Sequence, residues 1–437
     1  MGKRPRSGLP PAVTTAHAFN RRRKMEAHLM AWTADGGVPL FTRRTGDVKA
    51  LPFAAVGTLN GMHMFSSLHN SELLSTVTGD GKLLWRSYHK SVVLIIICSD
   101  DNACDSHIGR VLDNVFAAMV TCVGLDNLCN IQNVERLKRD LKVCYNLVDH
   151  ILLQLDEDQL TVGDLIGVVD CILCHKSPSL QHCLESFVET AESAYGCLLV
   201  RGKIALATKK WWSLDNRELV LLSAYVNSST KTVSRDIPIY LPASCPNVCN
   251  RLLTFQLTQG IELCVLCGPN ISLSQLEEEI PKHWKAVFEQ LKCVSSLHPR
   301  NFPTSVTIDR NILGFILIES RKRCICSVQP LEEDNGRPKD GKCLSLRRRQ
   351  EILRMLYKMA AGTYFSGAEK ANDADSSESR HGAREAYTCS EYYKSYILQE
   401  GSNQLYLLFA AGVATFAMRA VAHRTLKTLT SQKFYQI

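Results

Sequence analysis

Cys171-Ile172-Leu173-Cys174-His175 is a stretch whose residue types and spacing could do chemistry. It matches the C-x-x-C-H pattern of covalent haem attachment, and Cys264-Val265-Leu266-Cys267 adds a second C-x-x-C pair. Two such pairs also suggest zinc, whose thiolate ligands come in close pairs. Here each pair encloses two large aliphatic residues inside an apolar run, whereas zinc knuckles place their pairs in tight turns. Some ninety residues separate the pairs, and no third close ligand pair supports either. Both are expected to be core cysteines. Gly79-Asp80-Gly81-Lys82 reads as a hairpin turn, since no G-x-x-x-x-G-K-[ST] or G-x-G-x-x-G loop is present to cradle phosphate. No G-x-S-x-G elbow or H-E-x-x-H helix occurs, and the 13 histidines are scattered. The expectation is a binding protein with no covalent catalytic site, no cofactor and no metal.

Charge narrows the partners. The 437 residues hold 51 Lys and Arg against 43 Asp and Glu. Seven of those bases and no acid fall in residues 1–24, leaving 44 bases against 43 acids in the rest. A near-neutral body argues against nucleic acid. The basic, Pro-containing leader 1–24 has no periodic apolar face and is expected to be disordered. It also lacks the apolar core of a secretory signal, so a cytosolic chain is expected. Most of the 18 cysteines sit singly in apolar runs, where in a reducing compartment they act as small core residues. No stretch reaches the roughly 18 consecutive apolar residues of a spanning helix.

These residues must be positioned by repeating elements. Leu29–Trp32 and Val38–Phe41 flank Asp35-Gly36-Gly37 and predict a hairpin. A helix is expected at 51–65, strands at 71–78, 83–88 and 92–98, and helices over 108–122 and 134–151. The run Val92–Cys98 is apolar throughout and predicts a central strand buried on both faces. Hairpin, helix, three strands and helices then recur. The second round follows 165–174 and a helix near 181–194, with a hairpin at 197–207, a helix at 216–226, strands at 237–241, 252–257 and 261–266, and a helix at 274–293. The third has a hairpin at 313–328, a helix at 345–364 with Ile352, Leu356, Met359 and Thr363 inward, strands at 392–398 and 404–409, and a helix at 415–429. The expected class is α/β, three tandem domains spanning 25–157, 158–300 and 301–437, each an antiparallel five-stranded sheet flanked by helices. Loops are expected at 330–342 and 366–385.

The helix at 51–65 is unusual. Phe53, Val56 and Leu59 can face the sheet, yet Met62, Met64 and Phe65 add apolar surface on other sides. Gly57 and Gly61 weaken it while permitting close approach. An interface with a second body competes with deeper burial in the same chain. For Lys209-Lys210-Trp211-Trp212 the choice is between an exposed partner anchor and a cap on a strand end.

The element order resembles the longin domain. Gly37-Val38-Pro39-Leu40-Phe41, Leu51-Pro52-Phe53, Leu59-Asn60-Gly61-Met62-His63-Met64-Phe65, the run Asn130–Lys138 and Leu263-Cys264-Val265-Leu266-Cys267-Gly268-Pro269 resemble the Fuzzy family of planar cell polarity effectors over roughly residues 27–430. That resemblance implies three longin domains and a heterodimer with Inturned. It implies a ciliogenesis and planar polarity effector complex containing Wdpcp and a Rab-like small GTPase. It also implies a place in protein transport at the cytoskeleton and ciliary basal body, with no transmembrane segment and peripheral membrane association left open. Related paired longin complexes promote nucleotide exchange on Rab GTPases. The segments that correspond here are the helix 51–65 and the strand 71–78, and within the helix the candidate partner- or GTPase-binding residues are Leu59, Asn60, Met62, His63, Met64 and Phe65. A trafficking adaptor or GTPase effector without exchange activity is the alternative.

Overall fold

The structure, a computed structural model, describes residues 26–46, 49–79, 81–99, 105–153, 155, 167–175, 177–230, 232–320, 322–328, 344–363, 383–431 and 434. The leader 1–24, Asp80, the expected loop 330–342 and residues 366–382 lie outside them.

In the first domain β1 (Ala27–Thr33) and β2 (Pro39–Thr45) form the opening hairpin, and α1 (Phe53–Leu68) follows. β3 (Ser75–Thr78), β4 (Gly81–Tyr88) and β5 (Val92–Cys98) complete an antiparallel sheet in the order β2-β1-β5-β4-β3. Side chains alternate across it. Leu29, Ala31, Leu94 and Ile96 meet the helices that follow, while Met30, Trp32, Val93 and Ile95 lie on the α1 side. This is why β5 is apolar at every position. The covering helices are α2 (Asp105–Val123), α3 (Leu125–Cys129), α4 (Val134–Asp140) and α5 (Tyr145–Leu153). The single helix expected at 134–151 is broken by one 3₁₀ turn at Leu141–Cys144. Residues three apart eclipse in such a turn, so the buried series Leu137, Leu141, Cys144 and Val148 survives the break.

The second domain begins with β6 (Val169–Asp170) and α6 (Pro178–Thr190), then β7 (Tyr195–Val200), β8 (Lys203–Ala207), α7 (Lys209–Trp212) and α8 (Asn216–Ser228). β9 (Ser234–Leu241), β10 (Cys245–Thr258), β11 (Ile261–Cys267), α9 (Leu273–Trp284) and α10 (Phe288–Ser295) complete it. Its sheet runs β8-β7-β11-β10-β9. The third contains β12 (Ile312–Glu319), β13 (Arg323–Val328), α11 (Leu346–Thr363), β14 (Glu385–Cys389), β15 (Tyr393–Glu400), β16 (Asn403–Ala410) and α12 (Thr415–Leu429).

The third sheet departs from the expected plan. It has six strands, β14-β15-β16-β12-β13-β6, and β6 pairs parallel with β13. Val169 N donates to Lys322 O at 2.9 Å and Cys171 N to Cys324 O at 2.8 Å, after which Ile172 N donates to Ile204 O of β8. The connection between the first two domains is thus hydrogen-bonded to both later sheets. No strand is expected at β14, and only its first residue, Glu385, falls in the expected loop 366–385. Its sequence Glu-Ala-Tyr-Thr-Cys carries no apolar alternation, because an edge strand with half-exposed side chains needs none. In α11, Ile352 and Leu356 face inward as expected, but Met359 is exposed and Leu353, Tyr357 and Ala360 complete the buried stripe. The side chain of Thr363 lies outside the described residues.

α8 joins the domains. Every residue from Glu218 to Val226 is buried, the signature of a helix surrounded by protein. Leu221, Ala224 and Tyr225 pack into the helical layer of the first domain. Leu219, Val220, Leu222 and Val226 belong to one core shared by the second and third sheets. Trp211 lies in that core, only 1% exposed, and Trp212 is partly buried under the guanidinium of Arg323, 5.5 Å from its ring. The Trp pair therefore caps a strand end and offers no exposed anchor.

His107 of α2 marks a second contact. Burial first, then Lys358 and Arg354 of α11 and its own neighbour Arg110, pull its pKa down from the ordinary value of 6.5 to about 4. The folded state therefore holds a neutral imidazole, and stability is full above pH 6.5 and declines as pH falls towards 4, where the unfolded chain takes up the proton. The loss attributable to this site is expected to be about 2–3 kcal/mol. Urea midpoints measured at pH 7 and pH 5 should differ less in His107→Gln than in the parent chain.

Candidate partner-binding surface

The cysteine pairs do not form a reactive site. Cys171 and Cys174 are buried, and burial pushes both thiols up to about 12. Cys171 Sγ donates to Val169 O at 3.4 Å, while His175 Nε2 lies 2.8 Å from Ser305 Oγ, outside the cysteine packing. Thiols buried in apolar packing and so far from ionisation are poor nucleophiles. Among the described residues no group of three or more His, Cys, Asp or Glu gathers as a metal site, and no helix is long and apolar enough to cross a membrane.

The surface that stands out is α1 with the adjacent edge strand β3. The helix is FAAVGTLNGMHMFSSL, sixteen residues without one Asp, Glu, Lys or Arg. Pro52 precedes it with φ −65°, as its ring requires, and ψ 149°, and no side chain caps it. At the other end Ser66 Oγ donates to Ser71 O at 2.7 Å and Ser71 Oγ to Ser66 O at 3.1 Å, reversing the chain towards β3. Only Leu59 and His63 of α1 are buried. Leu59, with partly buried Leu51 and Val56, packs on Met30, Trp32, Leu83 and Trp85.

The six expected site residues therefore separate. Leu59 and His63 are buried, Leu59 against the sheet, and burial lowers the pKa of His63. Asn60 lies against the β1–β2 turn, where Gly37 has φ +59° and any Cβ would overlap the Asn60 side chain. Its Oδ1 is buried without a hydrogen-bond partner. Met64 is half-buried, and Met62 and Phe65 face outward. Phe53 does not face the sheet as expected. It is 90% exposed, because Leu51, just before the helix, fills that place. Sequence reasoning missed Leu68 (79% exposed), and it named the strand 71–78 without singling out Leu74 and Val77, which extend the apolar surface onto β3. The signal for Leu68 was an unbroken absence of charge from Leu51 to Ser71, whereas Leu74 and Val77 lie beyond it, after Glu72.

β3 pairs only with β4 among the described strands, so its outer backbone edge is open to another chain. Gly57 and Gly61 sit one turn apart, and a Cβ at either would meet nothing within 4 Å. No packing within the described chain demands glycine there. Gly57→Ala and Gly61→Ala are expected to stabilise the lone chain by up to about 1 kcal/mol each. Both should weaken partner binding if the helix is approached closely. Paired thermal melts and titrations with the partner would show opposite signs.

Comparison with known proteins agrees with this architecture. Residues 27–151 match the family model described as the first longin domain of FUZ, MON1 and HPS1, residues 191–285 the second, and residues 311–433 the third. The chain is 41% identical to the protein fuzzy homolog of Xenopus tropicalis over 413 residues, covering 92% of this chain and 97% of that protein. It is 35% identical to the Homo sapiens homolog and 34% to that of Mus musculus, each with the same coverage. With three longin domains in order and this identity along nearly its whole length, the chain belongs to the Fuzzy family of longin proteins.

Proposed function

We propose that this chain is one half of a heterodimer with Inturned that, together with Wdpcp, serves a Rab-like small GTPase in planar polarity and cilium assembly. The observation that carries the reading is the uncharged, largely exposed α1 beside an open strand edge. A surface of this kind is stable in water only at low apolar area or with a partner on it. Family membership supports the choice of partner. The role requires no covalent chemistry. A factor that binds the nucleotide-free GTPase tightly weakens nucleotide by the same factor, because coupling between two ligands is reciprocal. Met62 and Phe65, facing outward, are the contact residues, and Leu59 sets the helix on its sheet. The cytoplasmic face of the ciliary base is the proposed place of action.

The test is release of a fluorescent guanine nucleotide from candidate Rab-type GTPases, with the purified heterodimer and with each subunit alone. Accelerated release by the heterodimer supports exchange. Binding of the GTP form without accelerated release replaces exchange with an effector role. Failure of the two chains to co-purify removes the heterodimer itself.

A further inference from the structure

A second feature, independent of α1, lies in the middle domain. The β7–β8 turn at Arg201-Gly202, the β10–β11 turn at Gln259-Gly260 and the end of α10 line an open cleft of about 470 Å³. The turns are tied together, since Arg201 N donates to Gly260 O at 2.7 Å. Gly260, at φ +81°, has no side chain to obstruct Arg201, whose Cγ would lie 3.3 Å from a Cβ placed there.

The lining is one-sided in charge. Arg201, Lys292 and His298 contribute to it, with Ser295, Ser296 and Gln259, and no carboxylate does. Lys203 stands close by, and it and Arg201 add to burial in lowering the pKa of His298. Among the described residues no carboxylate pairs with the side chain of Arg201, Lys203 or His298. Lys292 bonds Glu289 Oε1 at 2.8 Å, but the pair is well exposed and such pairs contribute little, so an anion can displace it. The cations are not needed to cap α10 either. Its last carbonyls, Lys292, Cys293, Val294 and Ser295, already accept from Ser296 N, Ser296 Oγ, Leu297 N and His298 N. Arg201, Lys203 and His298, without a paired carboxylate, and Lys292, with only an exposed one, give this surface a positive field that attracts anions.

We propose that this cleft binds a phosphate ester, with Arg201, Lys292 and His298 on the phosphate and Ser295 and Ser296 as hydroxyl donors. The cleft is larger than a bare phosphate, and Phe288 and Gln259 give the rest of the ligand an apolar and a polar wall.

The test uses the full chain with two probes, glycerol 3-phosphate in solution and phosphatidylcholine vesicles containing phosphatidic acid. Saturable binding of either is expected, with an upward shift in the His298 pKa followed by NMR. Binding of the soluble probe alone assigns a metabolite, and binding of vesicles alone assigns a lipid headgroup. Arg201→Gln and Lys292→Gln should each weaken binding about tenfold, the value of one charge-assisted hydrogen bond. Lys282→Gln, on the exposed face of α9, should leave it unchanged. The proposal is overturned if neither probe binds, if vesicles of phosphatidylserine bind as well as those of phosphatidic acid, or if Lys282→Gln is as damaging as the cleft variants. Melting curves matching the parent chain confirm that the variants are folded.

Discussion

Glu218→Ala is expected to lower the stability of the whole chain by about 3–5 kcal/mol, a large share of the ~5–15 kcal/mol that holds a typical protein folded. The Glu218 carboxylate is buried at the start of α8. Its Oε1 accepts from Ala243 N at 2.9 Å and Ser244 N at 2.7 Å, and its Oε2 accepts from Asp215 N at 3.2 Å and Ser244 Oγ at 2.8 Å. Alanine would strand three backbone donors and open a cavity at the junction of the domains. The Asp215 side chain would still accept from Arg217 N at 2.9 Å, but half of the reciprocal cap would be gone. Because α8 packs into the cores on both of its sides, the loss should appear in one unfolding transition reported alike by tryptophan fluorescence and circular dichroism. Glu218→Gln keeps one acceptor oxygen and should lose roughly half as much. A chain that tolerates the alanine with less than about 1 kcal/mol lost would show that the cap contributes little to the junction.

The largest functional effect is expected at Phe65 and Leu68. Phe65→Asp with Leu68→Asp should weaken binding to the partner by about a hundredfold or more, since exposed aromatic and aliphatic anchors at an interface centre dominate its energy. The melting temperature of the isolated chain should not change, as both side chains meet water in the free protein. Leu59→Ala should do the opposite. It removes a buried contact with the Trp32 and Trp85 layer and should cost about 2–5 kcal/mol of stability. Isothermal titration beside denaturant unfolding separates the two. Equal loss of stability in the double aspartate variant would mean that these residues hold the fold rather than a partner.

The fold was legible where burial is periodic. Val92–Cys98, apolar at every position, had to be a strand covered on both faces, and it is. The three-and-four spacing of Ile108, Val111, Leu112, Val115 and Met119 had to be one helix, and each of those residues is buried in α2. Periodicity failed where an element borrows its partners. β14 at an edge has too little burial to alternate, and β6 is only two residues long and gains its register from a strand far along the chain. At the candidate surface, composition showed excess apolar area on α1 but not its direction. Phe53 turns outward because Leu51 takes its place, and Asn60 turns to the hairpin because Gly37 leaves room. Such choices depend on neighbours distant in sequence, which spacing cannot express.

The parallel pairing of β6 with β13 bears on how the protein is made. Val169 and Asp170 leave the ribosome roughly 150 residues before Arg323 and Cys324, the residues they pair with. At about 5–20 residues per second, translation leaves that segment without its final strand for about 8–30 s. In that interval its apolar Val168–Cys174 run has only the second domain to lean on. A message truncated before residue 323 would release a chain whose first two domains can form but whose connecting segment is never covered. Such products should be recognised by chaperones and proteases, so early termination within the third domain is expected to lower the amount of the entire protein rather than yield a stable two-domain fragment.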